Sequence, residues 1–122
     1  MRLISIRLVQ LAACAAFIAA GVPAAAAPVT VKGEVVDSAC FKKNAANKGE
    51  DHKGCTETCA KKGAKMALVT ADGEVYTIVG DYTANKNEKL VPMIAGMVEA
   101  TGEVAEKDGE KTLAVTAMKK AS

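Results

Sequence analysis

The chain has 122 residues, enough for one small domain, and a formal net charge of +2 at pH 7. That charge comes from Arg2 and Arg7, because the other basic residues are fourteen lysines, which balance the fourteen aspartates and glutamates. With aromatic residues at 3%, the chain lacks the basic patch and stacking rings of nucleic-acid-binding proteins and the polybasic surface of membrane-binding ones.

The first 26 residues have the organisation of a secretory signal peptide. Arg2 and Arg7 form a positively charged start, an apolar run follows from Leu8 to Gly21, and "PAAAA" supplies small residues for cleavage. The apolar run is too short for a comfortable transmembrane span. We therefore expect cleavage after Ala26, a mature domain at 27–122 without a transmembrane segment, and an exported, periplasmic protein.

The same segment allows a second interpretation, a lipoprotein signal. The stretch "LAAC", which ends at Cys14, resembles a bacterial lipobox, whose cysteine is lipidated and becomes the new N-terminus. Only a few apolar residues lie between Arg7 and Cys14, and the residues after Cys14 are apolar, whereas a lipoprotein tether is usually polar. Lipidation at Cys14 is therefore the less favoured alternative.

The start of the mature domain predicts a strand, a loop and a helix. A valine-rich run favours a strand over residues 29–37, with Gly33 marking a bend or bulge. Residues 42–51 are polar without periodicity and predict a loop. A helix is expected over residues 52–62, capped by Asp51 and followed by Gly63 just beyond its C-terminus.

Two hairpins complete the domain. Residues 65–80 predict two strands that turn at an Asp-Gly pair, residues 72–73. Residues 87–96 favour one or two short helical turns. Residues 97–118 predict a second hairpin with an Asp-Gly turn at 108–109. The residues expected on one face of each strand of this hairpin are Val98, Ala100 and Val104, then Leu113, Val115 and Ala117.

The order strand, helix, strand, strand, short helix, strand, strand is that of the OB-fold. We therefore expect a mainly-β fold, a small five-stranded OB-like barrel with a helix inserted between strands 1 and 2 and a short helix between strands 3 and 4. Closing the sheet removes the exposed strand edges that would otherwise invite aggregation.

Four stretches carry a resemblance to known proteins: "GEVVDSACF", "HKGCTETCAKKG", "DGEVYTIVG" and "VEATGEVAEKDGEKTLAV". Together they resemble a poorly characterised group of small exported bacterial proteins with an OB-like barrel. The resemblance covers nearly all of the mature chain, and its most specific part is the pattern Cys-x11-His-x2-Cys-x3-Cys. It implies a fold and a compartment but no activity.

The candidate metal ligands are Cys40, His52, Cys55 and Cys59. On one helix the last three lie within about 60° of each other but spread over about 10 Å. They reach a single ion only if His52 lies in a partly unwound first turn. Cys40, at the end of the first strand, would complete a tetrahedral Cys3His set. Zinc accepts that set, and Cu(I) would accept the thiolates alone.

The same cysteines also allow a disulfide. Exported proteins enter an oxidising compartment, where two of Cys40, Cys55 and Cys59 could pair. One thiol would then be left over, which is unusual unless it is buried, reactive or bound to a metal. The favoured hypothesis is therefore a metal-binding protein. A disulfide-stabilised binding module comes second, and a thiol redox protein third.

Catalysis and larger cofactors are not expected. The sequence has neither the C-x-x-C-H motif of covalent haem nor the C-x-x-C dithiol of thioredoxins. His52 and Cys55 have a spacing that a nucleophile and its base could use, but only Glu50 and Asp51 are candidates for orienting the His52 ring. We therefore expect one zinc or copper ion, no haem, no nucleotide and no catalytic activity, and the sequence indicates no particular partner.

Overall fold

The computed structural model describes residues 27–121. The predicted signal peptide at 1–26, with the alternative lipidation residue Cys14, lies outside the described residues, as does Ser122. Between residues 27 and 121, no helix has the length and apolar character needed to cross a membrane.

Five strands carry most of the described chain: β1 (Val29–Asp37), β2 (Met66–Thr70), β3 (Val75–Val79), β4 (Met97–Lys107) and β5 (Glu110–Lys120). The β1–β2 connection contains α1 (Ser38–Lys43), a 3-10 turn (Glu50–His52) and α2 (Lys53–Lys61). The β3–β4 connection contains a 3-10 turn (Asp81–Thr83), the short α3 (Ala84–Asn87) and a 3-10 turn (Val91–Met93). The expected mainly-β fold with helices in these two connections is confirmed.

The five strands form one sheet that closes in a ring. Neighbouring strands follow the order β1-β2-β3-β5-β4, and β4 pairs again with β1. The ring closes because β1 has two partners: residues 33–37 pair with β2, and residues 29–34 pair with β4. The β3–β5 pair is parallel, and the other pairings among the described strands are antiparallel.

The main core contains buried side chains from all five strands together with Ala60 of α2. One predicted position is wrong: Ala117 was expected on the face of Leu113 and Val115, but it is exposed, and Met118 is buried instead. The cause is a register shift in the β4–β5 pair, which skips Thr116 and so reverses the alternation of the last residues of β5.

The turn of the second hairpin was predicted correctly from sequence. Asp108 and Gly109 both have positive φ, at 53° and 78°, and Lys107 pairs with Glu110 across them. Positive φ at both central residues is the signature of the tight turn that Asp-Gly favours. No register shift lies at Gly33, where a bend or bulge was predicted, so a bend there stays a prediction. A register shift in the described sheet lies instead at the Thr101/Gly102 step.

Gly102 of β4 lies close against the backbone of β5, and a Cβ at this position would clash with the carbonyl oxygen of Ala114. We predict that Gly102→Ala lowers the free energy of unfolding by about 1–3 kcal/mol, because the two backbones must move apart. Gly96→Ala is the control, since its Cβ would meet nothing within 4 Å. Denaturant unfolding followed by circular dichroism measures both. Equal stability of the two variants would contradict the close approach.

Candidate metal centre

Asp37, the last residue of β1, connects the sheet to the candidate site. Its side chain is only 4% exposed, and its Oδ1 accepts a 3.0 Å hydrogen bond from the backbone N–H of Cys40. This bond caps α1, which begins at the next residue. The sequence placed Cys40 at the end of the strand and did not predict α1. The cap therefore holds Cys40 in the first turn of a helix, directly beside the end of β1.

The outer face of the sheet supports α1. Phe41 of α1 packs, together with Val75, against a small buried cluster of Val36, Ala67 and Val69. This cluster is separate from the core inside the ring. Because the cap acts at the start of α1 and Phe41 packs one residue after Cys40, the Cys40 backbone is fixed from both sides.

The segment between α1 and α2 folds back over Cys40. The carbonyl oxygen of Cys40 accepts hydrogen bonds from the Asn47 side chain, at 2.9 Å, and from the backbone N–H of Asn44, at 3.1 Å. The Gly49 N–H donates to the Glu34 carboxylate of β1, at 2.6 Å. These bonds join the segment to β1 and α1 and bring the chain back toward the site at His52.

α2 carries the other two cysteines. His52 lies in the 3-10 turn, and α2 begins at the next residue, Lys53. A site for a single ion was expected to need His52 outside the regular helix in this way. The predicted cap at Asp51 is wrong, because neither the 3-10 turn nor α2 has a side-chain cap bond at its start. Cys55 is exposed and Cys59 is half-buried.

The end of α2 is held firmly. Gly63 has a φ of +84°, its N–H donates to Ala60 O at 2.9 Å, and the Ala64 N–H donates to Cys59 O at 3.1 Å. This is the Schellman arrangement that a glycine after a helix favours, so the prediction for Gly63 is confirmed. The buried side chain of Asn87 also donates to Ala60 O and Ala64 O, at 2.9 Å each. Asn87 thereby ties the Cys59 end of α2 to the β3–β4 connection.

These elements bring Asp37, Cys40 and Cys59 together. One ligand atom from each residue lies within 4.8 Å of the others, and the group could hold a metal ion. In a tetrahedral zinc site with Zn–S bonds of about 2.3 Å, the sulfurs are about 3.8 Å apart. The observed spacing is about 1 Å larger at most, so the three donors would need only small movements to reach one ion.

The Cys59 thiol is harder to ionise than an ordinary cysteine. Burial raises its pKa, and a hydrogen bond with the Asp37 carboxylate raises the pKa further. Electrostatic interactions with Asp37, Cys40 and Cys55 act in the same direction. All of these effects favour the neutral thiol, whereas a cation among the same groups would favour the thiolate.

A cavity of about 240 Å³ adjoins this group. Its lining residues are Asp37, Cys40, Asn47, His52, Cys55 and Thr56. Asp37 and Cys40 therefore belong both to the cavity wall and to the close group with Cys59. His52 and Cys55 lie on the cavity side, not in the close group.

The predicted residues thus divide into three sets. Cys40 and Cys59 are in the close group, whereas His52 and Cys55 line the adjoining cavity. Glu50 and Asp51, the predicted partners of the His52 ring, are exposed, and neither makes a side-chain hydrogen bond to it within residues 27–121.

Sequence reasoning missed Asp37 as a site residue. An aspartate three residues before a cysteine, directly after a buried valine run, is the signal that could have found it. Such a residue can cap a short helix and turn its second carboxylate oxygen toward the next element. Without that helix in the prediction, Asp37 was only the end of a strand.

No disulfide joins cysteines within the described part of the chain, where Cys40, Cys55 and Cys59 are all free thiols. The metal-ligand prediction for Cys40, His52, Cys55 and Cys59 stays a prediction at this point. The geometry adds Asp37 to the candidates.

We predict that Asn87→Asp lowers the free energy of unfolding by about 1–3 kcal/mol, because it replaces two donated hydrogen bonds with a carboxylate that faces two carbonyl oxygens. The substitution keeps the size of the side chain and tolerates the φ of 60° at this position. The matched control is Asn85→Asp, an exposed residue with a φ of 53°. Thermal unfolding measures both, and an equal loss in the two variants would contradict the anchoring role of Asn87.

We also predict that the three thiols of the reduced, chelator-treated protein react at different rates with iodoacetamide at pH 8. Cys55 reacts first because it is exposed, and Cys59 reacts more slowly because it is half-buried and its raised pKa leaves less thiolate. Peptide mass spectrometry after short exposures gives the order. In urea the three rates should become similar, whereas a native Cys59 that reacts first would contradict the described environment.

The chain was compared with protein-family models, with curated proteins and with solved structures, and none of them matches. Function is therefore inferred from the residues of the site and from their geometry.

Proposed function

We propose that this chain is a small, exported, non-catalytic metal-binding protein whose site is built on Cys40, Cys59 and Asp37. The observation that supports this most strongly is the convergence of three donor atoms within 4.8 Å. They come from α1, from α2 and from the end of β1. Zinc is the ion that suits them best, because it accepts both thiolate and carboxylate ligands, whereas Cu(I) would use the thiolates alone.

The burial of Asp37 supports the same proposal. Buried carboxylates are paired with a cation or coordinate a metal, because leaving water is otherwise costly. None of the ion pairs in residues 27–121 includes Asp37. Its neighbours are the Cys40 N–H and the thiols of Cys40 and Cys59. A bound cation would supply the positive charge that this group lacks.

A fourth ligand would come from the cavity, because Asp37 and Cys40 both line it. The predicted Cys3His set needs His52 and Cys55 from that cavity, with His52 as a neutral imidazole. The close group favours a different ligand set, made of Cys40, Cys59, Asp37 and His52.

The second candidate is a disulfide-stabilised binding module. One observation favours it: the Sγ atoms of Cys40 and Cys59 lie within 4.8 Å of each other. Loss of two protons and two electrons to an external thiol oxidant would join them and brace α2 against α1. Thiol redox chemistry comes third, because a raised Cys59 pKa lowers the reactivity of that thiol.

The compartment and the fold type belong to the same proposal. The charged start, apolar run and small residues of segment 1–26 support export through a signal peptide. The strand order β1-β2-β3-β5-β4, with the parallel β3–β5 pair, supports an OB-like barrel. Both features also support membership of the group of small exported proteins that the sequence resembles.

The test is a zinc titration of the purified, reduced protein against a competing chelator. We expect one ion per chain and a melting temperature that rises with zinc, because a ligand that binds only the folded state stabilises it. Cys40→Ser, Cys59→Ser and Asp37→Asn should each weaken zinc binding by at least about 100-fold. That is the upper end of the affinity loss seen when a residue that only hydrogen-bonds to a metal ligand is changed.

Asp37→Asn is informative because the amide oxygen can still cap α1 while the charge is lost. Asp81→Asn is the matched control, an exposed acid on the β3–β4 connection. Wild-type protein without bound zinc or Cu(I), or an Asp37→Asn variant that binds like the control, would contradict the proposal.

A further inference from the structure

Two donor sets overlap in this molecule. Asp37 and Cys40 form the close group with Cys59, and the same two residues line the cavity that contains His52 and Cys55. An ion in the close group and an ion in the cavity would therefore share two ligands. Moving between the two positions requires the exchange of one thiolate for another.

Exposure increases from the close group to the cavity rim. Asp37 is buried, Cys40 and Cys59 are half-buried, and Cys55 is exposed. Cys55 and Cys59 are four residues apart on α2, which places them on one side of the helix with a rise of about 6 Å. On α2, the Cys55 thiol thus lies at the solvent side, and the Cys59 thiol lies in the close group.

The cavity gives an ion room to exchange its ligands. At about 240 Å³ it is several times the volume of about 30 Å³ that one water occupies in the liquid. A structural zinc site fills all four positions with protein atoms, whereas an open position admits water or another ligand. A cavity beside Asp37 and Cys40 is the arrangement of an open site.

We propose that Cys55 is an exchange ligand and that the protein hands its metal ion to and from thiol-bearing or chelating molecules through this cavity. This inference rests on the proposed function and adds that the metal is cargo and not a permanent structural part. On entry, a metal–Cys55 bond would form as a bond to water or to the donor molecule breaks, and the Cys55 proton would pass to solvent. A metal–Cys59 bond would then replace it: the Cys59 thiol gives up its proton, and the released Cys55 thiolate takes one up. The metal keeps its oxidation state throughout, and release follows the reverse order.

The test measures zinc transfer by stopped flow. Zinc-loaded protein is mixed with a chromophoric chelator to follow release, and the metal-free protein is mixed with a zinc–chelator complex to follow uptake. In Cys55→Ser the rates of zinc uptake and release should both fall by at least about tenfold, while the equilibrium affinity stays within about threefold. A group that acts only during transfer changes the two rates by the same factor and so leaves their ratio unchanged. Thr58→Ala is the control, an exposed α2 residue that does not line the cavity.

The alternatives give different results. If Cys55 is a permanent ligand, Cys55→Ser releases zinc faster and binds it more weakly, which overturns the inference but leaves the metal-binding proposal intact. Unchanged rates in a folded Cys55→Ser variant also overturn it. If the wild-type protein binds no zinc, the proposed function itself is contradicted.

A second measurement does not depend on a variant. In the zinc-loaded wild type, N-ethylmaleimide should modify Cys55 while Cys40 and Cys59 are protected. Equal protection of all three thiols would overturn the exchange role.

Discussion

The buried carboxylate of Asp37 is the interaction on which the site depends. It ends β1, caps α1 through the Cys40 N–H and lies within 4.8 Å of the Cys40 and Cys59 sulfurs. Without the cap, Cys40 would lose one of the contacts that fix its backbone, and without the Cys59 thiol the Asp37 carboxylate would lose its hydrogen bond from α2. Because a buried carboxylate needs positive charge or hydrogen-bond donors, metal binding and folding of this region stabilise each other in our account.

α2 has one anchored end and one open end. At Cys59 the helix is held by the Gly63 turn and by Asn87, whose side chain bonds two carbonyl oxygens. At His52 the chain enters through a 3-10 turn without a side-chain cap and borders the cavity. A rigid inner side can hold donor atoms close together, while an open outer side lets ligands approach. In the proposed function, this asymmetry would connect the packing of the helix to metal binding and release.

The sequence predicts those parts of the fold that depend on local patterns. The valine-rich β1, the Asp108-Gly109 turn and the glycine end of α2 follow from neighbouring residues alone. α1 could not be predicted, because six residues form a helix there only through the Asp37 cap and the packing of Phe41 on the sheet. The chemistry of Cys40 and Cys59 was visible, whereas Asp37 was missed because its role depends on α1. Ala117 was misplaced because a bulge that sequence alternation does not reveal shifts the register.

The most direct test of the account is the intact mass of the mature protein purified from its native host without added reductant. It is measured under native conditions and again after denaturation and thiol alkylation. We expect a native mass with one metal ion and, after denaturation, alkylation at Cys40, Cys55 and Cys59. A metal-free mass two hydrogens light, with one alkylated cysteine, would contradict the metal site and show a disulfide-braced protein.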